Sequence, residues 1–151
     1  MHNSYYFLRQ VSAELNTRLK EFQLVSCFSQ SRDELLMEFH KNAKHYFLRA
    51  SLLPELTVVT FPKQITRARK NSVDLFYSLL MQRVEGVNVF ENDRSFVVRM
   101  EGGHGILFKM HGNRANILHV HNDAVVDVFR KGITADLSLV PSSLNKTLDW
   151  T

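Results

Sequence analysis

Residues 84–100 have the pattern of two strands joined by a polar turn, and this hairpin constrains the fold more than any other stretch. Over residues 95–100 every second residue is a large apolar one, which is the period of a strand with one buried face. Residues 91–93 are types that let a chain reverse direction. The hairpin therefore predicts an antiparallel sheet, with Asp93 and Arg94 at its turn.

Similar strand patterns, separated by turn residues, flank this hairpin on both sides. Gly-Gly and Asn-Asp pairs separate the later strands and indicate antiparallel neighbours, not a βαβ alternation. The predicted strands outside the hairpin are centred on Val25, Leu36, Phe47, Val58, Leu107, Leu118 and Val126. About nine strands are predicted in all.

Two helices are predicted beside these strands. Apolar residues spaced three or four apart indicate an amphipathic helix over residues 4–20. A second, shorter helix is predicted over residues 71–82, with Val73 and Phe76 on its inner side and Asp74 in its first turn. The predicted fold is α+β, mostly antiparallel β, with sandwich-like sheets and two helices.

The length of 151 residues and the hydrophobic content of 44% suit one domain with one core. We place that domain at residues 1–136 and interpret residues 137–151 as the start of a connection to carboxy-terminal parts outside this sequence. No apolar run is long enough to cross a membrane and no secretory signal is recognised, so a cytoplasmic protein is expected. The single cysteine, Cys27, has no disulfide partner and is predicted to be a core residue.

The net charge of +4 and the pI near 9.4 are compatible with an anionic partner such as RNA. Four cations, Lys63, Arg67, Arg69 and Lys70, crowd together without an acidic residue among them. The simple alternative is a solvated loop. If a helix begins directly after these residues, its free N–H groups and the neighbouring cations favour a phosphate.

No set of residues in the sequence predicts catalysis. His119 and His121 share one strand face, as metal-binding pairs do, but no third ligand with matching placement accompanies them. A P-loop, a dinucleotide-binding glycine pattern, a Ser-His-Asp order and a CxxC motif are all missing. The chain is expected not to be an enzyme and to need neither a metal nor a cofactor.

The spacing of Val84 and Val87 before the Asp93–Arg94 pair resembles the Asp-Arg segment in the amino-terminal domain of the NFACT family. The opening helix, which ends in VSAELN, is similar to the first helix of that family. The resemblance covers most of residues 1–136.

A second similarity to the NFACT family lies in LFKMHGNRANILHV, which resembles the family's apolar strand, glycine turn and following apolar strand. Gly112 and Asn116 match the family pattern. Asn113, Arg114 and Ala115 depart from its commoner Gly-Arg-x-Ser-Asn form.

The resemblance implies a noncatalytic RNA-binding domain of a ribosome-associated quality-control factor. Such a factor binds the large ribosomal subunit and the tRNA on stalled chains. It also implies a fold similar to the amino-terminal domain of formamidopyrimidine-DNA glycosylase, a β-sandwich flanked by helices. Asp93 and Arg94 would lie at the tRNA contact, and backbone contacts would come from Arg67, Arg69, Lys70 and Arg114.

Two alternatives belong to other functional classes. Relatives in the same family have been described as fibronectin- or fibrinogen-binding proteins, so an extracellular-matrix adhesin is one alternative. The expected absence of a signal peptide and the lone cysteine argue against it. A DNA glycosylase/lyase is the other, but the proline that follows Met in those enzymes is replaced here by His2.

Overall fold

The structure is a computed structural model that describes residues 5–68, 70–91 and 93–145. Within these ranges the chain forms one α-helix and ten strands, and the strands make two five-stranded antiparallel sheets. No helix in the described ranges is long and apolar enough to cross a membrane. The helix is α1 (Tyr5–Leu19), and the strands are β1 (Gln23–Ser31), β2 (Glu34–Lys41), β3 (Lys44–Leu53), β4 (Leu56–Thr60), β5 (Val73–Asp74), β6 (Val84–Val89), β7 (Ser95–Met100), β8 (His104–Lys109), β9 (Asn116–His121) and β10 (Ala124–Val128).

Each sheet is a meander whose neighbouring strands mostly follow one another in sequence. The first has the order β4-β3-β2-β1-β5 and the second the order β10-β9-β8-β7-β6. Asn122 and Asp123, with φ of 49° and 65°, form the two-residue turn between β9 and β10. Positive φ at both positions gives the turn a twist that matches the flanking strands. The mostly antiparallel prediction and the nine predicted strands are confirmed.

The core lies between the two sheets, where both present an apolar face. Phe96 on β7 and Phe108 on β8 stack with ring centroids 4.7 Å apart, and their strands pair at these residues. Burying a large side chain of this kind contributes about 2 kcal/mol. Further core residues include Leu24, Cys27, Leu35, Met37, Phe39, Leu48, Val98, Ile106 and Ile117.

Helix α1 covers the edge of the second sheet. Its buried leucines, Leu8, Leu15 and Leu19, recur at helical spacing and join the core. Outside this stripe, the Asn16 side-chain oxygen accepts a hydrogen bond from the Val87 backbone N–H at 2.8 Å. Strand β6 is an edge strand, and such an N–H has no partner within the sheet. The helix therefore terminates the sheet as well as packing on it.

The predicted second helix over residues 71–82 is wrong. Val73 and Asp74 form the short strand β5 beside β1, and Val73 is exposed. Phe76 has φ of 51°, a left-handed conformation that an α-helix cannot contain, and only a short 3-10 turn (Tyr77–Leu79) follows. The reason is tertiary, because β1 needs a partner on its open side: the Leu75 N–H donates to the Cys27 carbonyl at 3.0 Å.

The end of the described chain packs on the outer face of the second sheet. Two 3-10 turns, Thr134–Ser138 and Pro141–Leu144, bring Leu144 into a cluster with Leu107 and Leu118. The Asn145 side-chain oxygen accepts from the Glu91 N–H at 2.8 Å. The domain boundary placed at residue 136 stays a prediction, and residues 146–151 lie outside the described ranges.

Arg130 links the two sheets at one end of the molecule. Its Nη2 donates to Asp33 Oδ1 at 2.6 Å and to the Leu52 carbonyl at 3.2 Å, both on the first sheet side. Its backbone N–H donates to Asn116 Oδ1 at 2.7 Å on the second sheet. Asn116 is fully buried and also donates to Asp136 Oδ2 at 2.9 Å, and Asp136 pairs with Lys109. One connected polar network therefore spans both layers.

Replacing the cation of this link tests its contribution. Arg130→Met keeps the length of the side chain but removes the partner of Asp33 and Leu52, so we expect the free energy of unfolding to fall by about 2 kcal/mol. Urea unfolding followed by circular dichroism measures the change. Arg32→Met is the matched control, because Arg32 is exposed and contributes only its carbonyl to the link. Equal stability of both variants would show that the link adds nothing.

Candidate functional site

Asp93 is buried at the turn of the central hairpin, with 3% of its surface exposed. His111 Nε2 lies 2.9 Å from Asp93 Oδ2 and donates to it, because a carboxylate only accepts. The Ser95 hydroxyl oxygen lies 3.0 Å from the same nitrogen. The carboxylate thus ties the β6–β7 turn to the β8–β9 connection.

Arg94 follows this anchored residue and is exposed. Its backbone carbonyl accepts from the Met110 N–H at 2.9 Å, and the Phe90 N–H donates to the Ser95 carbonyl at 3.0 Å. Hydrogen bonds therefore hold the backbone at Arg94 and at the neighbouring Ser95. A guanidinium on a fixed backbone loses less entropy on binding a ligand than one on a mobile loop.

Arg114 lies on the neighbouring connection at the same end of the sheet. Ser95 pairs with Lys109 across β7 and β8, so the turn before Ser95 and the connection after Lys109 are adjacent. Arg114 ends the 3-10 turn Gly112–Arg114 and is exposed. The structure therefore places Arg94 and Arg114 on adjacent turns, with His111 between these turns as the support.

The predicted basic cluster has a different environment. Arg67 Nη1 pairs with Asp74 at 2.7 Å, and its guanidinium carbon lies 4.6 Å from the centre of the Phe28 ring. Lys70 is exposed, and Arg69 lies outside the described residues. Because β5 takes the place of the predicted helix, the helix N–H groups expected beside these cations are not formed, and the RNA contacts of the cations stay a prediction. Arg67 instead contacts both Asp74 on β5 and Phe28 on β1.

Three histidines meet on β8 and β9. His104 Nδ1 and His119 Nε2 lie 3.0 Å apart, and the rings of His104 and His121 stack with centroids 4.0 Å apart. Burial lowers the pKa of His119 and of His104, and the neighbouring histidines lower both further. In the described chain, no group of three or more His, Cys, Asp or Glu side chains is arranged to hold a metal ion. The geometry favours neutral, mutually packed rings.

Stability should decrease in acid because of these rings. A histidine whose pKa is lowered by folding stabilises the protein above its unfolded pKa, roughly 6.5, and that contribution is lost as the pH falls below it. We expect the urea unfolding free energy to be smaller at about pH 5.5 than at about pH 7.5, and the loss to be smaller in His119→Gln. The same loss in both proteins would contradict this role of His119.

The two antiparallel sheets, the edge helix and the anchored turn define a mainly β domain. No protein-family model matches the sequence, and no curated protein matches it. Solved structures do share the fold.

Three such structures resemble the chain over most of its length. They are the N-terminal domain of fibronectin-binding protein PavA from Streptococcus pneumoniae (18% identity, TM-score 0.70), the fibrinogen-binding protein from Staphylococcus aureus (14%, 0.71) and the N-terminal part of the fibronectin/fibrinogen-binding protein from Streptococcus suis (15%, 0.72). In the same order, the matched region covers 83%, 86% and 83% of this chain. It covers 53%, 51% and 52% of the chains in the three structures. At these identities the likeness is one of fold. The predicted likeness to formamidopyrimidine-DNA glycosylase stays a prediction.

The sequence pattern does not indicate several residues that organise this region. The sequence predicts no role for His111, although its ring is hydrogen-bonded to Asp93. Arg130 and Asp136 drew no prediction, although they surround Asn116. Asn116, which stands between two apolar residues at the start of a strand, is the signal in the sequence that could have indicated this network, because a buried amide needs partners.

Proposed function

We propose that this domain binds RNA without catalysing a reaction and that Arg94 contacts tRNA directly. The observation that carries the proposal is the buried Asp93–His111 hydrogen bond, which fixes the turn while Arg94 stays exposed. Arginine binds phosphate or a base edge with two parallel hydrogen bonds. The resemblance of the Asp93–Arg94 segment to the NFACT family supports the same assignment.

The roles of the predicted residues differ in this proposal. Asp93 is a positioning residue, because its carboxylate is buried against His111. Arg114, on the adjacent turn, suits a second phosphate contact. Lys70 and Arg69 would add contacts to the RNA phosphate backbone. Arg67 would make such a contact only by giving up its pair with Asp74.

The proposed setting is that of a cytoplasmic ribosome-associated quality-control factor bound to the large ribosomal subunit and to tRNA on stalled chains. The chain spans about half the length of the structures it resembles, so ribosome association is proposed for a whole protein and not for this domain alone. Linked binding sites raise the effective concentration of each other without any new contact. Cosedimentation of the whole protein with large subunits tests this part.

Removing the Arg94 guanidinium tests the tRNA contact. We expect Arg94→Ala to weaken tRNA binding roughly tenfold and to lower the salt dependence by about one counterion. Filter binding across a salt series measures both. Arg9→Ala is the matched control, because Arg9 is an exposed arginine on α1. Equal affinity of Arg94→Ala and the parent would reject the contact, provided that both give the same circular dichroism spectrum.

Binding of a matrix protein is the second candidate function. It is favoured by the names of the three structures, which are fibronectin-, fibrinogen- and fibronectin/fibrinogen-binding proteins. These names support this candidate more directly than they support RNA binding. A matrix protein would meet the domain outside the cell, whereas the tRNA contact requires the cytoplasm.

Surface plasmon resonance separates the two candidates. If the domain is an adhesin, immobilised fibronectin or fibrinogen should bind it saturably, and Arg94→Ala should leave that binding within about twofold, because one exposed charge contributes little. If the RNA proposal is right, tRNA should bind and neither matrix protein should saturate. Saturable binding to fibronectin without tRNA binding would overturn the RNA proposal.

A further inference from the structure

The β2–β3 hairpin carries a charge arrangement that opposes folding. Lys41 and Lys44 lie directly opposite each other across its turn, and both are exposed. Like charges that face each other in a sheet repel. No ion pair in the described part of the chain joins either lysine to a carboxylate. An anion bound at this turn would offset the repulsion.

Three adjoining depressions meet at this hairpin, and together we call them the hairpin groove. The first, of about 340 Å³, shares Lys41 and Asn42 with the second, of about 660 Å³. The second shares His45 and Tyr46 with the third, of about 270 Å³. Through these shared residues the three depressions adjoin one another, from the end of α1 across the hairpin to the segment after β4.

Cationic side chains line all three depressions, mainly the first two, and the third contains Lys63. They are Arg18, Lys20, Lys41, Lys44, Lys63 and Arg83. Glu21 is the one carboxylate among the described lining residues. Arg18 pairs with Glu14 at 3.0 Å, but both side chains are more than half exposed, so solvent screens that pair. A cleft lined by one sign of charge concentrates ligands of the opposite sign.

Aromatic rings accompany the cations at the third depression. The rings of Tyr46 and Phe61 lie 5.6 Å apart, and Phe61 is 38% exposed. His45 and Phe47 stack with centroids 6.3 Å apart. A small inorganic anion gains nothing from an exposed aromatic ring. Bases of a single strand do, because they stack on such rings while the phosphates contact neighbouring cations.

We infer that the hairpin groove binds single-stranded RNA, with Lys41 and Lys44 on phosphates and the Tyr46–Phe61 pair against bases. The groove includes none of the residues assigned to the tRNA contact, so this inference stands without Arg94. It assigns to the domain a second nucleic-acid surface on the first sheet.

Charge reversal at the hairpin tests the phosphate contacts. Fluorescence anisotropy with a labelled oligouridine should show at least about a tenfold loss of affinity for the double variant Lys41→Glu/Lys44→Glu, together with a shallower salt dependence. The matched control, Arg9→Glu/Lys131→Glu, makes the same charge change at exposed positions outside the groove and should lose about twofold at most. Equal losses in the two double variants, or no loss in the first, would overturn the inference.

The aromatic contact needs its own variant. Phe61→Leu keeps apolar volume but removes the ring, and it should weaken oligouridine binding roughly fivefold. Heparin, a polyanion without bases, should bind this variant as it binds the parent. If Phe61→Leu leaves oligouridine binding unchanged, or weakens heparin equally, the groove does not recognise bases and the inference fails. Circular dichroism of every variant shows whether the fold is retained.

Discussion

The fold depends on the burial of two sheet faces against each other. An apolar sheet face is unfavourable in water, and here residues of both five-stranded sheets pack into one buried cluster. The other elements cover the edges of this contact or join the two sheets. Helix α1 covers the β6 edge, β5 covers the β1 edge, and Arg130 joins the layers at one end.

The polar groups at these borders are buried and hydrogen-bonded, and this affects function as well as stability. Asp93 accepts a hydrogen bond from His111 and so holds a turn. Asn116 and Asp136 belong to the network that joins the two layers. The proposed ligand contacts come instead from exposed cations, above all Arg94 and the lysines of the β2–β3 hairpin. An exposed charge costs little to maintain, whereas a buried one needs partners.

The shared fold and the proposed function rest on different kinds of evidence. The structures from Streptococcus and Staphylococcus share the fold at identities of 18% or less, at which surface residues diverge freely. A fold can host unrelated functions, so function has to be argued from particular residues. In our proposals those residues are exposed arginines and lysines, whose positive charge suits an anionic ligand.

The sequence by itself determined helix α1, the nine predicted strands and the turns between them, because hydrophobic period and turn chemistry are local properties. Only the tertiary structure decided the conformation of residues 71–82. Their pattern is helical, but Val73 and Asp74 form a strand because they pair with the open edge of β1. It also decided that Asp93 is buried and Arg94 exposed, since His111 lies eighteen residues away along the chain. The hairpin groove is tertiary as well, because α1, β2–β3 and the segment after β4 meet only in the folded chain.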